Sequence, residues 1–279
     1  MATIVSRTAI PQIGLMDEQT DVLDVGDRAR AELADLIDRQ MSPLGLAAMH
    51  ALALEINHAV LDVGCGAGQT ILQLADRVGS SGRIIGVDLA PHVLAVARRR
   101  TAHLPQVTLH QQDAGALALP EQSLDRAFSR FGTMFFTSPV AAFTNMRRML
   151  KPGGRLGFVC WRSMQENELD ALCVQAAGLP IDVDASPFSF ESAASIEQVL
   201  SLAGFYEIKV SAYNAQVSCG DVDATFKVVT RVGALGKALR ENPALLAEAE
   251  KPVRGALAAR EQNGSVHLGA ATWIVVATA

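Results

Sequence analysis

Three glycines at alternate positions form the group of residues in this chain best suited to shaping a ligand site. They are Gly64, Gly66 and Gly68, within the segment Val-Leu-Asp-Val-Gly-Cys-Gly-Ala-Gly-Gln that runs from Val60 to Gln69. Glycine is needed where a chain turns tightly or where a ligand touches the backbone. A strand that enters such a turn and continues as a helix presents backbone N–H groups to a ligand. The segment therefore predicts a ligand-binding loop, the glycine loop (residues 64–69).

Two common nucleotide-binding loops do not fit this spacing. The dinucleotide fingerprint G-x-G-x-x-G requires a third glycine where this chain has Gln69. The phosphate loop G-x-x-x-x-G-K-[ST] requires a lysine, and no lysine follows these glycines. The spacing therefore argues against both a dinucleotide site and a P-loop.

Two aspartates follow later apolar runs. Asp88 ends the run Ile-Ile-Gly-Val-Asp, and Asp113 follows His-Gln-Gln. A carboxylate at the first position can accept hydrogen bonds from both hydroxyls of a ribose, and one at the second can accept from an adenine amine. Alternatively, Asp88 caps the next helix and Asp113 forms a turn. Because ligands of parallel sheets bind at the carboxyl ends of strands, the three features together favour the ligand interpretation.

Short apolar runs alternate with helical patterns through the middle of the chain. The expected strands are Ala59–Val63, Arg83–Val87, Val107–His110, Leu124–Ser129 and Arg155–Cys160, and the expected helices are Thr70–Val78, Pro91–Arg100 and Val140–Leu150. This alternation predicts an α/β fold with a parallel sheet covered on both faces. Later elements are predicted as helices at Glu166–Ala177 and Ser195–Ala203, a strand at Glu207–Ala212, mostly helical residues at 222–262 and a strand at Val266–Ala277.

Residues 1–54 are expected to form an N-terminal arm and a helical cap in front of a catalytic domain at residues 55–279. The arm extends to residue 26 and contains prolines and glycines among scattered apolar residues. From Arg28 to about Leu54, apolar residues recur at helical spacing. Pro43 and Gly45 are expected to divide this stretch into two helices.

Composition restricts the partners. Of the 279 residues 49% are hydrophobic, enough for a large core, and the net charge of −5 gives no broad positive field for nucleic acid. The four cysteines are far apart, so we expect neither disulfides nor a metal site. We see no signal peptide and no apolar segment long enough to span a membrane, and we expect a cytoplasmic protein. The sequence leaves a homodimer open.

Val60–Gln69, Asp88, Asp113 and Lys151–Gly154 together resemble the successive motifs of class I S-adenosylmethionine (SAM)-dependent methyltransferases. Segments 129–136 and 158–162 are similar to bacterial members of the ubiquinone/menaquinone C-methyltransferase-like group. The resemblance covers residues 55–165 and continues more loosely beyond them. It implies a doubly wound, mostly parallel seven-stranded sheet of order 3-2-1-4-5-7-6 with the last strand antiparallel. It also implies a Rossmann-like domain with a helical insertion around residues 214–264.

The resemblance also implies roles for individual residues. Asp62 and the loop glycines would flank the methionine part of SAM, Asp88 the ribose, and Asp113 with Ala114 the adenine. The other residues expected to contact the cofactor are Cys65, Gln69, Thr70, Leu89, Arg130 and Phe131. The residues expected to contact the acceptor are Phe131, Met134, Trp161 and Arg162.

Methyl transfer from a sulfonium is an in-line displacement, in which the protein mainly aligns and desolvates the acceptor. A carbon or oxygen acceptor also needs a base, for which His50 in the helical cap is the candidate. Arg130 either binds a ligand carboxylate or extends to water. Arg98–Arg100 is expected to be a solvated helix end.

The leading hypothesis is a methyltransferase of small-molecule biosynthesis that transfers the methyl group of SAM to a carbon, oxygen or nitrogen nucleophile. A nucleic-acid amino-methyltransferase is disfavoured because the Asn/Asp-Pro-Pro-Tyr signature is absent after the fourth strand. The alternative from another class is a SAM-binding regulatory or scaffold protein that performs no transfer, since its cofactor motifs would be identical.

Overall fold

A seven-stranded sheet with helices on both faces forms the main body of the protein. The computed structural model describes residues 24–180 and 182–279. The strands are β1 (Ala59–Val63), β2 (Arg83–Asp88), β3 (Val107–Gln111), β4 (Leu124–Arg130), β5 (Leu150–Trp161), β6 (Tyr206–Val217), a small hairpin of β7 (Glu261–Gln262) and β8 (Ser265–Val266), and β9 (Leu268–Thr278). The helices are α1 (residues 24–32), α2 (Ala34–Ala51), α3 (Gln69–Val78), α4 (Pro91–Thr101), α5 (Pro139–Met149), α6 (Glu168–Ala177), α7 (Ala193–Leu202), α8 (Val222–Val229), α9 (Gly233–Glu241) and α10 (Leu246–Ala258).

The strand order is β3-β2-β1-β4-β5-β9-β6. Strands β1 to β5 pair in parallel, whereas β9 pairs antiparallel with both β5 and β6. The order 3-2-1-4-5-7-6 with an antiparallel last strand is therefore confirmed, β9 being the seventh strand of the sheet. All five residues of β1 are buried, as expected for a parallel strand covered on both faces.

The second half of the sheet extends further than the sequence predicts. Strand β6 continues to Val217, five residues past the expected end at Ala212, because β9 pairs with it along its whole length. The helical insertion formed by α8, α9 and α10 therefore begins after Val217 and not near residue 214. A strand end that depends on a partner more than fifty residues away leaves no local signal in the sequence.

Helix α2 contradicts the predicted division of the N-terminal cap. It runs for 18 residues through Pro43 and Gly45 without a break, and the chain bends instead at Leu33. An internal proline costs a helix about 3 kcal/mol. Burial of a leucine or methionine side chain contributes roughly 1.5–3 kcal/mol each, so the buried Leu44 and Met49 offset that cost.

Helices α1 and α2 lie against the rest of the molecule. Residues 1–23 of the predicted arm lie outside the described residues, and residues 24–26 are helical, not irregular. The buried Asp27 carboxylate accepts hydrogen bonds from the backbone N–H groups of His92 (2.7 Å) and Val93 (3.1 Å). It thereby caps α4 and fixes α1 beside it. Within the described ranges, no helix is both long and apolar enough to cross a membrane.

Candidate active site

The three glycines of the glycine loop are required for different reasons. All three have a positive φ, +70° at Gly64, +51° at Gly66 and +86° at Gly68. A Cβ atom at Gly64 would lie 2.9 Å from Gly132 Cα, and one at Gly68 would lie 3.0 Å from Ala97 Cα. A Cβ at Gly66 would meet no atom of the described chain within 4 Å. The outer glycines therefore permit close packing, and the middle one faces open space.

Backbone hydrogen bonds bring the glycine loop and both predicted aspartates to one edge of the sheet. The N–H groups of Gly64 and Cys65 donate to the carbonyl of Val87 at 2.8 and 3.1 Å. The N–H of Gln112 donates to the carbonyl of Asp88 at 3.1 Å. The carboxyl ends of β1, β2 and β3 thus meet where ligands of such sheets bind.

Asp88 supports the loop directly. Its Oδ2 accepts from the Gly66 N–H at 2.8 Å and its Oδ1 from the Ala90 N–H at 2.9 Å. Each carboxylate oxygen has capacity for a further donor, such as a ribose hydroxyl. The N–H groups of His92 and Val93, in the first turn of α4, donate to Asp27 and not to Asp88. The residue that caps this helix is therefore Asp27.

Asp62 has an unsatisfied oxygen in the protein interior. Its Oδ2 accepts from the Thr70 hydroxyl at 2.5 Å, while its buried Oδ1 has no hydrogen-bond donor among the described residues. Burial raises the pKa of Asp62 to about 7, although Thr70 and the positive charge of Arg130 act to lower it. A buried polar atom without a partner is costly, which makes Oδ1 a natural acceptor for a ligand donor.

The outer side of the site is formed by Leu89, Asp113 and Ala114. Asp113 Oδ1 accepts from the Gly115 N–H at 2.8 Å and caps the 3-10 helix Ala114–Ala116, as the turn interpretation predicts. Ala114 is buried, whereas the Leu89 side chain is 66% exposed. A large exposed apolar side chain next to Asp88 offers a surface on which a flat ring can lie.

Two other loop residues have roles that the sequence does not reveal. The Cys65 thiol is buried, and its Sγ would lie 3.1 Å from a Cβ on Gly86, so it points into the sheet. Burial raises its pKa, and only its backbone faces the loop edge. The Gln69 side chain is bound by Arg130, whose Nη1 donates to Gln69 Oε1 at 2.5 Å.

The Arg130 side chain is bound by other side chains of the protein. Its Nη2 donates to Asp38 Oδ1 of α2 at 3.0 Å, and its side chain is only 12% exposed. Its charge is therefore balanced by the protein and not by solvent. Sequence reasoning missed Asp38 and treated Arg98–Arg100 as solvated, whereas Arg100 forms ion pairs with Asp38 (2.6 Å) and Asp35. The sequence contained one signal for this contact: Asp38 lies seven residues before Gly45, so both residues lie on the same face of α2.

An aromatic stack lies at the carboxyl ends of β4 and β5. The rings of Phe131 and Trp161 are parallel within 15°, with centroids 4.0 Å apart. The backbone N–H of Trp161 donates to Met134 Sδ at 3.4 Å, and both Trp161 and Met134 are buried. Phe131 has φ +59°, which is unfavourable for a bulky side chain and is most often found at functional sites.

Two predicted site residues lie elsewhere. Arg162 follows Trp161 and so points to the opposite face of the sheet, where it stacks 5.0 Å from the Trp273 ring centroid and pairs with Glu166. His50 is exposed in the last turn of α2. The carbonyl of Leu52, just beyond that turn, accepts from Arg126 near the start of β4, at the amino edge of the sheet. The structure therefore does not bring His50 to the glycine loop.

Comparison with known proteins agrees with this arrangement. Residues 60–154 match the family described as "Methyltransferase domain". The chain is 32% identical over 146 residues to the 2-phytyl-1,4-naphtoquinone methyltransferase of Thermosynechococcus vestitus, covering 50% of this chain and 65% of that protein. It is 35% identical over 105 residues to the demethylmenaquinone methyltransferase of Staphylococcus aureus, covering 38% of this chain and 43% of that protein. The chain thus spans less than two thirds of the length of these relatives.

The fold is also found among solved structures. The YcgJ protein of Bacillus subtilis has a TM-score of 0.57 at 22% identity, covering 84% of this chain and 97% of that chain. The segment that matches the family begins in β1 and ends in β5, so it contains the glycine loop and both aspartates. Residues 60–154 are therefore similar to a methyltransferase domain, and the chain shares its fold with the YcgJ protein.

Proposed function

We propose that this chain transfers the methyl group of SAM to a small, flat and largely apolar acceptor. The observation that carries the acceptor class is the Phe131–Trp161 stack, held by a strained backbone at the end of β4, next to the glycine loop. Aromatic side chains bind flat rings through their faces with offset or stacked geometry. The names of the quinone methyltransferase relatives support the same class, and the net charge of −5 argues against nucleic acid as the acceptor.

The loop edge fits SAM in its polar and apolar features. Asp62 Oδ1 is the acceptor that lacks a donor within the described chain, and it suits the amino group of the methionine part. Gly66 leaves room for close approach to the backbone. Asp88 would accept from the ribose hydroxyls, and Leu89 with Asp113 would enclose the adenine.

The chemistry that SAM supplies is an activated methyl group on a sulfonium. The contribution of the protein is then to align the acceptor and to exclude water around it. The buried Trp161 stacks on one face of the Phe131 ring, so an acceptor stacked on the other face would be held in one plane. Such alignment of the reacting atoms is the main requirement for in-line displacement.

The cofactor site is tested by Asp88→Ala, measured by calorimetry with S-adenosylhomocysteine. We expect affinity to fall by at least about tenfold, because at least one charge-assisted hydrogen bond to the ribose is lost. Unchanged affinity would remove the ribose assignment.

The acceptor class is tested by a screen of quinols, phenols, aliphatic amines and carboxylates, with formation of S-adenosylhomocysteine as the readout. We expect turnover with aromatic acceptors. Phe131→Leu should raise KM for the acceptor by a larger factor than it weakens cofactor binding. Tyr206→Leu is the matched control, since Tyr206 is exposed at the opposite edge of the sheet. Cofactor binding without turnover on any class would favour the alternative of a SAM-binding protein that performs no transfer.

A further inference from the structure

We propose that Asp38 is a positioning residue for the glycine loop. Its buried carboxylate holds Arg100 and Arg130, and each of these arginines holds one side of the loop. We call the three residues Asp38, Arg100 and Arg130 the arginine clamp. The proposal rests on the proposed function only in taking the glycine loop as the SAM loop.

The contacts of the clamp form a symmetrical pattern. Asp38 Oδ1 accepts from Arg130 Nη2 at 3.0 Å, and Oδ2 accepts from Arg100 Nη1 at 2.6 Å. Arg130 Nη1 donates to the side chain of Gln69 at 2.5 Å, and Arg100 Nη1 donates to the carbonyl of Ala67 at 3.0 Å. Ala67 and Gln69 are the two neighbours of Gly68. The clamp therefore grips the loop where it becomes helix α3.

Charge and burial make Asp38 the residue on which the clamp depends. The side chains of Arg130, Arg100 and Asp38 are 12%, 21% and 9% exposed, respectively. Two guanidinium groups so close to each other and so poorly hydrated need an anion between them. Asp35 does not replace it, because its side chain is 93% exposed and, among the described residues, forms an ion pair with Arg100 only. An exposed ion pair of that kind contributes little.

The backbone of α2 is also adapted to the clamp. A Cβ atom at Gly45 would lie 2.8 Å from Arg130 Cδ, so glycine at this position leaves space for the arginine stem. Gly45 lies seven residues after Asp38, on the same face of the helix. One helix face thus provides both the carboxylate that binds Arg130 and the groove through which its stem passes. Cofactor affinity then depends on a helix that precedes the methyltransferase domain in sequence.

The direct test is Asp38→Asn, with calorimetry of S-adenosylhomocysteine binding well below the melting temperature. The substitution keeps the shape of the side chain and removes its charge. We expect affinity to fall by about tenfold, which corresponds to the loss of one charge-assisted hydrogen bond. Asp35→Asn makes the same change one turn earlier and should alter affinity by less than about twofold.

Hydrogen exchange in the protein without ligand separates positioning from general stability. In Asp38→Asn the amides of residues 66–70 should exchange faster, while the amides of β1 and β5 remain protected as in the wild type. A merely structural role would accelerate exchange throughout or lower only the melting temperature. Unchanged affinity and unchanged loop exchange in a folded Asp38→Asn variant would overturn the proposal.

A second variant keeps the proposal testable if Asp38→Asn does not fold. Gly45→Ala leaves every charge in place and favours the helix by roughly 1 kcal/mol, yet its methyl group displaces the Arg130 stem. We expect weaker binding in a protein that remains folded, and unchanged binding would contradict the clamp. If Asp88→Ala abolishes binding while both clamp variants bind normally, the proposed SAM site stands and the clamp is wrong. If Asp88→Ala binds normally, the SAM site itself is wrong.

Discussion

Replacing Gly66 by alanine adds a single methyl group that should weaken ligand binding much more than it lowers the stability of the fold. Gly66 has φ +51°, and its missing Cβ would meet no described atom within 4 Å. The cost to the fold is therefore only the strain of an alanine in the left-handed region, about 1 kcal/mol. For a domain of this size, that lowers the melting temperature by roughly 2–4 °C. The N–H of residue 66 still donates to Asp88, so the loop keeps its shape.

Cofactor binding should be affected far more strongly than stability. The added methyl group occupies the open side of the loop, where a ligand would otherwise touch the backbone. If the ligand retreats and loses a single backbone hydrogen bond, about 1.4 kcal/mol is lost, which is tenfold in affinity. We therefore expect S-adenosylhomocysteine to bind Gly66→Ala at least about tenfold more weakly, as measured by calorimetry.

Gly68→Ala is the matched control. Its Cβ would lie 3.0 Å from both Ala97 Cα and Ala97 Cβ, at φ +86°. Strain and overpacking together cost roughly 2–4 kcal/mol, so thermal unfolding should detect this variant more readily than Gly66→Ala. Gly66 does not contact the ligand if Gly66→Ala binds like the wild type, and it does not face open space if the variant loses as much stability as Gly68→Ala.

Three further predictions concern stability. Burial raises the pKa of Asp62 from 3.8 to about 7. Between these two pH values the folded state binds a proton that the unfolded state lacks. The contribution of Asp62 to the free energy of unfolding therefore falls as pH rises through this range. Asp62→Asn should remove that decline, so its stability relative to the wild type should rise from about pH 4.5 to about pH 7.5 in urea unfolding; a constant difference would contradict the assignment. Asp27→Ala should cost about 1–2 kcal/mol through loss of the α4 cap. Asp24→Ala removes exposed contacts with Arg28 and His92 and should cost less; equal losses in urea unfolding would argue against the cap. Leu52→Ala should cost about 3 kcal/mol, because the fully buried Leu52 packs on β5 at Gly157. Leu202→Ala, at a side chain 66% exposed, should cost less than about 0.5 kcal/mol, and similar losses in the two leucine variants would refute this packing role.

Local patterns were sufficient for much of the fold. Runs such as Ala59–Val63 mark strands because a strand buried on both faces must be apolar throughout. The strand order came from the resemblance carried by the glycine loop, Asp88 and Asp113. Local patterns wrongly predicted a break in helix α2, because the burial of its apolar face outweighs the free-energy cost of the internal proline.

The glycine loop and the two aspartates that follow strands could be identified from the sequence alone. These depend on backbone conformation and on position along single strands, which are local properties. The tertiary contacts were needed to show that Gly66 faces open space and that Arg130 is held by Asp38, 92 residues earlier in the chain. The physical reason is that packing distances and charge partners arise between distant segments, whereas a sequence pattern records only neighbours on one element.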